Sequence, residues 1–296
     1  MPLTDFPWPP VPPAGIVPAW SGSAFQIGGQ SVRVVAYDES DSHWSEELTN
    51  FHETAAGRHH PIDAASRRLA IASLMPLRGH PGVRILDAGC SSGFMVEELR
   101  RALPEAGLIA TDYLRGPLED LARRIEGVPL LQFDLRRCPL PGSIVDGIVC
   151  LNVLEHIDDD AGALRHLCRI LQPGGIAHVE VPSGPGLYDI YDEHLMHHRR
   201  YRMRDLKRMA RACGFTVEQS THLGCLVYPA FWLVKKLHRR KLALPAAEKS
   251  RLVAAQIRAT RRSFLFARLM QLETALGKFV SFPFGIRCIV VLRKRR

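Results

Sequence analysis

From residue 83 onward, short apolar runs alternate with stretches whose apolar residues recur every three to four positions. The runs at 83–87, 107–111, 129–133, 145–151 and 176–181 have the length of strands and little polar alternation, as in strands buried on both faces. The stretches at 94–102, 115–125, 159–171 and 203–212 carry the helical period. Strands separated by helices predict an α/β fold with a mostly parallel sheet covered on both sides. Turn chemistry agrees. Asp158-Asp159-Asp160 supplies caps and negative charge for a helix start. Pro173-Gly174-Gly175 closes that helix and leads to the next strand, with the proline kept out of the strand interior. Gly214 follows a helix end, before 215–219 resumes an extended pattern.

The flanks read differently. Residues 1–24 are rich in Pro and Gly and predict an extended, poorly ordered arm. Residues 25–37 alternate around Gly28-Gly29 as a small hairpin, and 42–77 turn helical, so 25–78 form a hairpin and helical lid ahead of a core at 79–225. Residues 226–240 are apolar-aromatic and then basic. Residues 246–279 look helical through Phe264, Leu265, Leu269, Leu272, Leu276 and Phe279, and 286–292 read as a last strand. The expected order is therefore a helical insertion at 226–283, then a final core strand and basic tail at 284–296.

Composition narrows the setting. The chain is 46% hydrophobic and 23% charged, the balance of an ordinary globular domain. Its 7 cysteines are odd in number and include no Cys-x-x-Cys, against a disulfide framework or thiolate zinc site. No basic segment leading into an apolar run opens the chain, and no run approaches the ~18 apolar residues of a spanning helix. A cytoplasmic location is the default expectation. The net charge of +9 lies largely beyond residue 197, in clusters such as 235–241 and 293–296. The first of these follows Phe231-Trp232-Leu233-Val234, a pairing that suits an anionic membrane surface or anionic substrate at least as well as nucleic acid (DNA or RNA).

The segment Val83-Arg84-Ile85-Leu86-Asp87-Ala88-Gly89-Cys90-Ser91-Ser92-Gly93 is a strand, a glycine turn and a helix start, where backbone N–H groups meet a ligand. It lacks the Lys-Ser/Thr ending of a phosphate-binding P-loop and the Gly-x-Gly-x-x-Gly of a dinucleotide site. The acid before the loop instead resembles the first motif of the class I S-adenosylmethionine-dependent methyltransferases, with Ser91 where that family has its middle glycine. Asp112-Tyr113 at the end of the second strand resembles the family's ribose-binding acid. Phe133-Asp134-Leu135 resembles its adenine segment. Asn152-Val153-Leu154-Glu155-His156, followed by Arg169-Ile170-Leu171-Gln172-Pro173-Gly174-Gly175, resembles the branch acting on small molecules, quinones and lipids. The resemblance implies a Rossmann-like seven-stranded sheet and S-adenosylmethionine as cofactor. It implies cofactor contacts at Asp87, Gly89, Ser91, Gly93, Asp112, Tyr113, Asp134, Leu135 and Asn152, with Asp87 on the cofactor's amino group, Asp112 on both ribose hydroxyls and Asp134 on the adenine amine.

For the acceptor side the candidate bases are His156, after the fourth strand, and His194 and His197 beyond the fifth. Arg200 and Tyr201 are candidates for holding a polar or anionic acceptor. His43-Trp44, His52 and His59-His60 are candidates for a lid. None of these histidines has a His-Glu-x-x-His spacing, so no metal is expected. The expected activity is methyl transfer to O or C of a small-molecule or lipid-like acceptor. The alternatives are an RNA or protein methyltransferase using the basic surface, and an inactive cofactor-binding interaction protein. The insertion at 226–283 either packs over the sheet or forms a homodimer contact, or else touches the inner face of an anionic membrane.

Overall fold

The structure, a computed structural model, describes residues 3–38 and 57–295. Of the helical stretch expected at 42–77, residues 42–56, with His43, Trp44 and His52, lie outside these residues. In chain order the elements begin with β1 (Ala19–Trp20), β2 (Phe25–Ile27), β3 (Gln30–Val32), β4 (Val34–Ala36), α1 (Pro61–Leu74) and β5 (Arg84–Ala88). They continue with α2 (Phe94–Ala102), β6 (Gly107–Asp112), α3 (Arg115–Ala122), β7 (Leu130–Gln132), β8 (Val145–Leu151), α4 (Asp160–Ile170) and β9 (Leu171–Pro182). The last third holds α5 (Ile190–His194), α6 (Met203–Ala212), β10 (Phe215–Leu223), α7 (Tyr228–Arg239), α8 (Ala246–Arg262), α9 (Phe264–Leu276) and β11 (Arg287–Lys294).

The main sheet has the order β10-β11-β9-β8-β5-β6-β7-β4. From β9 to β4 every pairing is parallel, while β11 inserts antiparallel between β9 and β10. Eight strands stand where seven were expected, because β4 leaves the N-terminal hairpin and pairs with β7, placing Val34 against Leu130. Alternate residues of the central strands enter opposite cores: Leu86 and Ile148 on one face, Ile85 and Val149 on the other. Both faces are covered, so these strands need apolar residues at every position.

Two expectations are corrected. Residues 3–24 are no loose arm: Leu3, Phe6, Trp8 and Trp20 are buried in the main core, with Trp8 edge-on to Phe25 at 4.9 Å. Prolines restrict the unfolded chain, and the large apolar side chains between them supply the burial that such a segment otherwise lacks. Pro173-Gly174-Gly175 lies inside β9 rather than before it. The register with β8 jumps from Val145–Leu171 to Gly147–Ile176 across this stretch, so the proline sits in an irregularity where no regular ladder bond is demanded. The expected caps hold: the Asp159 side chain accepts from Gly162 N–H at the start of α4, and Gly214 follows α6 in the left-handed region, φ 99°.

Candidate active site

β5, β6, β8 and β9 end on the same side of the sheet, and the loops beyond them form one cleft of about 1280 Å³. Its first wall is the turn after β5. Gly89 and Cys90 N–H both donate to the Thr111 carbonyl at 2.8 Å, folding the turn onto β6. Gly89 has φ 78°, and a Cβ there would run into the Val153 side chain, so glycine is required for conformation and for space. Ser91 also adopts a left-handed conformation, φ 45°, and its N–H donates to Asp112 Oδ2 at 2.8 Å. Leu114 N–H donates to Asp112 Oδ1 at 2.9 Å, so two backbone groups fix this carboxylate at the end of β6. Gly93, φ 74°, is the N-cap of α2.

Asp87 lies beneath this turn, 3% exposed, and its Oδ2 has no hydrogen-bond partner among the described residues. Burial, and then the nearby Asp112 charge, pushes its carboxyl up to about 7. Tyr113 and the buried Leu135 line the adjoining wall. Asp134 is buried beside them, but Arg136 donates to both its oxygens, from the backbone N–H and from Nε, each at 2.8 Å. Asp134 caps the turn after β7 and lines the cleft. Asn152 also lines the cleft and is fastened to β9: its N–H donates to the Glu180 carbonyl at 2.9 Å and its Nδ2 to Glu180 Oε1 at 3.1 Å. With φ 53°, it fills a left-handed position that asparagine tolerates better than most residues.

The opposite wall is apolar and comes from the insertion: Phe231 and Val234 of α7, Ile257 of α8, Phe266 and Leu269 of α9. His60 closes one end through a 3.0 Å contact with Thr260 Oγ1, so the segment before β5 does meet the insertion over the cleft. Facing this wall are Glu155, His156 and His197. The two imidazoles meet edge to face with centroids 4.7 Å apart. Glu155 is fully buried, and neither carboxylate oxygen has a hydrogen-bond partner among the described residues beyond its own backbone N–H. Burial pushes its carboxyl up to about 8. His197 is 7% exposed, with Nδ1 2.9 Å from Asp192 Oδ1. Desolvation lowers its pKa, and Asp192 opposes that shift.

His194 does not line the cleft, unlike His156 and His197. Arg200 reaches the wall but is committed to Asp192 and to the Ser183 carbonyl, and Tyr201 OH donates to Asp160 Oδ2 at 2.7 Å. Neither is placed to bind an acceptor.

Residues 86–179 match the methyltransferase domain family. Over those residues the chain carries a methyltransferase domain, and its fold is that of the class I S-adenosylmethionine-dependent methyltransferases. Among relatives, a demethylmenaquinone methyltransferase of Mycolicibacterium paratuberculosis is 30% identical over 147 residues, 49% of this chain and 59% of that protein. A trans-aconitate 2-methyltransferase of an Acidovorax species is 33% identical over 105 residues, 35% of this chain and 40% of its own. The chain spans between 28% and 59% of the length of the curated relatives it matches. A solved geranyl diphosphate C-methyltransferase from Streptomyces coelicolor A3(2) shares the fold at a TM-score of 0.54 and 13% identity, over 87% of this chain and 82% of that one.

S-adenosylmethionine is the cofactor of this domain, and the residues of the cleft fit it. Asp87 presents a buried carboxylate oxygen without a donor among the described residues, as a cationic amino group requires, and Gly89 keeps the turn clear of side-chain bulk. What sequence reasoning missed is the buried group behind His197. Asp192 receives His197, Arg200 and Lys235, while Asp189 also receives Lys235. Burial by itself raises the Asp192 carboxyl, but these donors outweigh it and hold it well below the usual range. Asp189 and Asp192 show in sequence only as a capping-box spacing for α5, and nothing local marks Lys235 as their partner.

Proposed function

We propose that this chain transfers a methyl group from S-adenosylmethionine to an oxygen or carbon atom of a small, lipid-like acceptor. The observation that carries the reading is the composition of the cleft. An acid-lined turn lies at one side and an apolar wall of Phe231, Val234, Ile257, Phe266 and Leu269 at the other, with Glu155, His156 and His197 between. When bound, S-adenosylmethionine supplies a methyl group made electrophilic by its sulfonium. In this reading Asp87 holds the amino group and Asp112 the ribose hydroxyls, both from the lining of the cleft, while the apolar wall excludes water from the acceptor's half. A proton leaving an acceptor hydroxyl or activated carbon departs toward His156 or His197. The small molecules named for the demethylmenaquinone and trans-aconitate methyltransferases support this reading over an RNA or protein acceptor.

The same insertion supports contact with an anionic membrane at its inner face. Leu265 lines the cleft yet is 68% exposed, and Phe264 beside it is 72% exposed. Exposed Arg261, Arg262 and Arg268 flank them. Apolar side chains ringed by cations suit the boundary between acyl chains and anionic headgroups, and a lipid-like acceptor reaches the cleft from there.

The test is incubation of the purified chain with methyl-labelled cofactor and pools of lipid extract or polar metabolites, followed by identification of the labelled product. Label in an organic-extractable or small polar product is expected. Label found only in RNA or protein would replace this reading with the macromolecular one.

A further inference from the structure

We infer that Glu155, His156 and His197 form a three-ligand site for a divalent transition-metal ion on the acceptor side of the cleft. One carboxylate oxygen and one nitrogen from each imidazole lie within 4.8 Å of one another. Bonds of about 2.0–2.2 Å to a central ion put neighbouring donors roughly 3–4 Å apart, so small side-chain rotations suffice to close the set. Two histidines and one carboxylate with open positions are a donor set suited to zinc and to ferrous or similar ions.

Convergence of the three is built into the backbone. Glu155 and His156 follow β8 in a single turn of 3₁₀ helix, and His198 N–H donates to the Glu155 carbonyl at 2.8 Å. That bond fastens the segment carrying His197 against Glu155. His197 is also oriented from behind: with Nδ1 against Asp192, Nε2 is the nitrogen left to coordinate. A carboxylate behind a ligating histidine is the usual arrangement for fixing its tautomer and ring direction. Asp192 is itself anchored by Arg200 and Lys235, so the support is rigid.

Charge points the same way. Arg287 is bonded to Glu180 and Asp63, Arg200 to Asp192, and Lys235 to Asp189 and Asp192. Among the described residues no cation is hydrogen-bonded to the Glu155 carboxylate, which is fully buried and lines the cleft. An unpaired buried acid is costly, and a bound cation removes that cost. With an ion bound, His156 and His197 would serve as its ligands instead of as proton acceptors, and the ion's open positions, in a cleft that also holds the cofactor turn, would orient and polarise an acceptor oxygen. This role, though not the ion site itself, rests on the methyl-transfer reading.

The test uses the full chain stripped with a chelator, dialysed, and titrated with Zn²⁺ alone by calorimetry, with Co²⁺ as a spectroscopic probe of coordination. One ion per chain is expected. His156→Ala, at a half-exposed position, and Glu155→Gln are each expected to weaken binding by at least tenfold, with circular dichroism checking the fold. His59→Ala, outside the trio, is expected to bind as the parent does. No Zn²⁺ binding by the stripped parent, or equal binding by a folded His156→Ala chain, overturns the site. S-adenosylhomocysteine titrated into the same samples separates the two claims. Cofactor binding without metal binding refutes only the ion site, and metal binding without cofactor binding refutes only the methyl-transfer reading.

Discussion

His197 Nδ1 and Asp192 Oδ1 stand 2.9 Å apart, and Arg200 Nη1 approaches the same oxygen at 2.8 Å. Lys235 Nζ reaches the other oxygen at 3.0 Å. One buried carboxylate therefore holds a cleft histidine and ties α5, beyond β9, to α7. Removing one partner of such a group leaves the others charged and uncompensated, at a cost of about 3–5 kcal/mol. Asp192→Asn is expected to lose stability of that order in urea denaturation. An unfolding midpoint within error of the parent would show that the network carries little of the fold's stability.

Asp87 gives the cofactor-free chain a pH dependence with a definite sign. An unfolded aspartate titrates near about 3.9, whereas burial and Asp112 push this one up to about 7. Between those values the folded chain keeps a proton that the unfolded chain has lost. The group's stabilising contribution is therefore full below about pH 4 and is lost as pH rises through about 7. Asp87→Asn should flatten that fall in unfolding free energy. Affinity for S-adenosylhomocysteine should do the opposite in the parent and rise toward about pH 7 as the carboxylate ionises. In Asp87→Asn it should be flat and roughly 10–100-fold weaker, the loss of a charge-assisted bond of about 1.5–3 kcal/mol. A parent affinity that ignores pH would remove the amino-group assignment.

Asp112 joins loop geometry to cofactor contact. It accepts Ser91 N–H and Leu114 N–H while its carboxylate lines the cleft. Asp112→Ala should weaken S-adenosylhomocysteine binding at least tenfold by calorimetry. Asp112→Asn, which keeps one acceptor oxygen, should fall between that variant and the parent. Unchanged affinity in the alanine variant would count against the ribose role.

The parallel sheet was legible because period and punctuation are local. Strands such as 145–151 and helices such as 94–102 and 203–212 fall where hydrophobic spacing put them. The turn at Gly89 was legible for the same reason, since its left-handed backbone and missing Cβ are written in one residue. What stayed hidden depends on distant partners. Trp8 and Trp20 pack on Phe25, a contact no windowed pattern around proline reveals. Lys235 sits in a run that reads as a solvated basic face, yet it is 3% exposed between Asp189 and Asp192. Likewise the pairing of His197 with the Glu155-His156 dipeptide arises from the crossing of two loops rather than from a spacing.

In the turn after β5, Ser91 is a non-glycine residue held in a left-handed backbone. A non-glycine residue in the left-handed region costs about 1–2 kcal/mol, and here φ is 45°. The hydrogen bond from its N–H to Asp112 belongs to the backbone and survives substitution. Ser91→Gly should keep cofactor affinity within about threefold and raise the melting temperature by about 1–4 °C, since glycine relieves strain but gains unfolded-state entropy. A marked loss of affinity would show that the serine hydroxyl itself touches the cofactor.

The insertion supplies the last prediction. Phe264, Leu265 and Phe279 are 72%, 68% and 86% exposed, and Arg268 stacks over the Phe264 ring at 4.8 Å. Deleting α7 is a poor probe of membrane contact, because Lys235 would leave Asp189 and Asp192 without their cation. Substituting the three exposed side chains with serine removes the apolar contact and leaves that network intact. The triple variant should keep the parent's unfolding midpoint and S-adenosylhomocysteine affinity while losing at least tenfold in partition onto phosphatidylglycerol vesicles. Added salt should weaken the parent's partition, since Arg261, Arg262 and Arg268 act through a screened field. Equal sedimentation of parent and variant with vesicles sinks the membrane assignment. A parent that sediments as a dimer, and a variant that does not, would assign this face to a second copy of the chain instead.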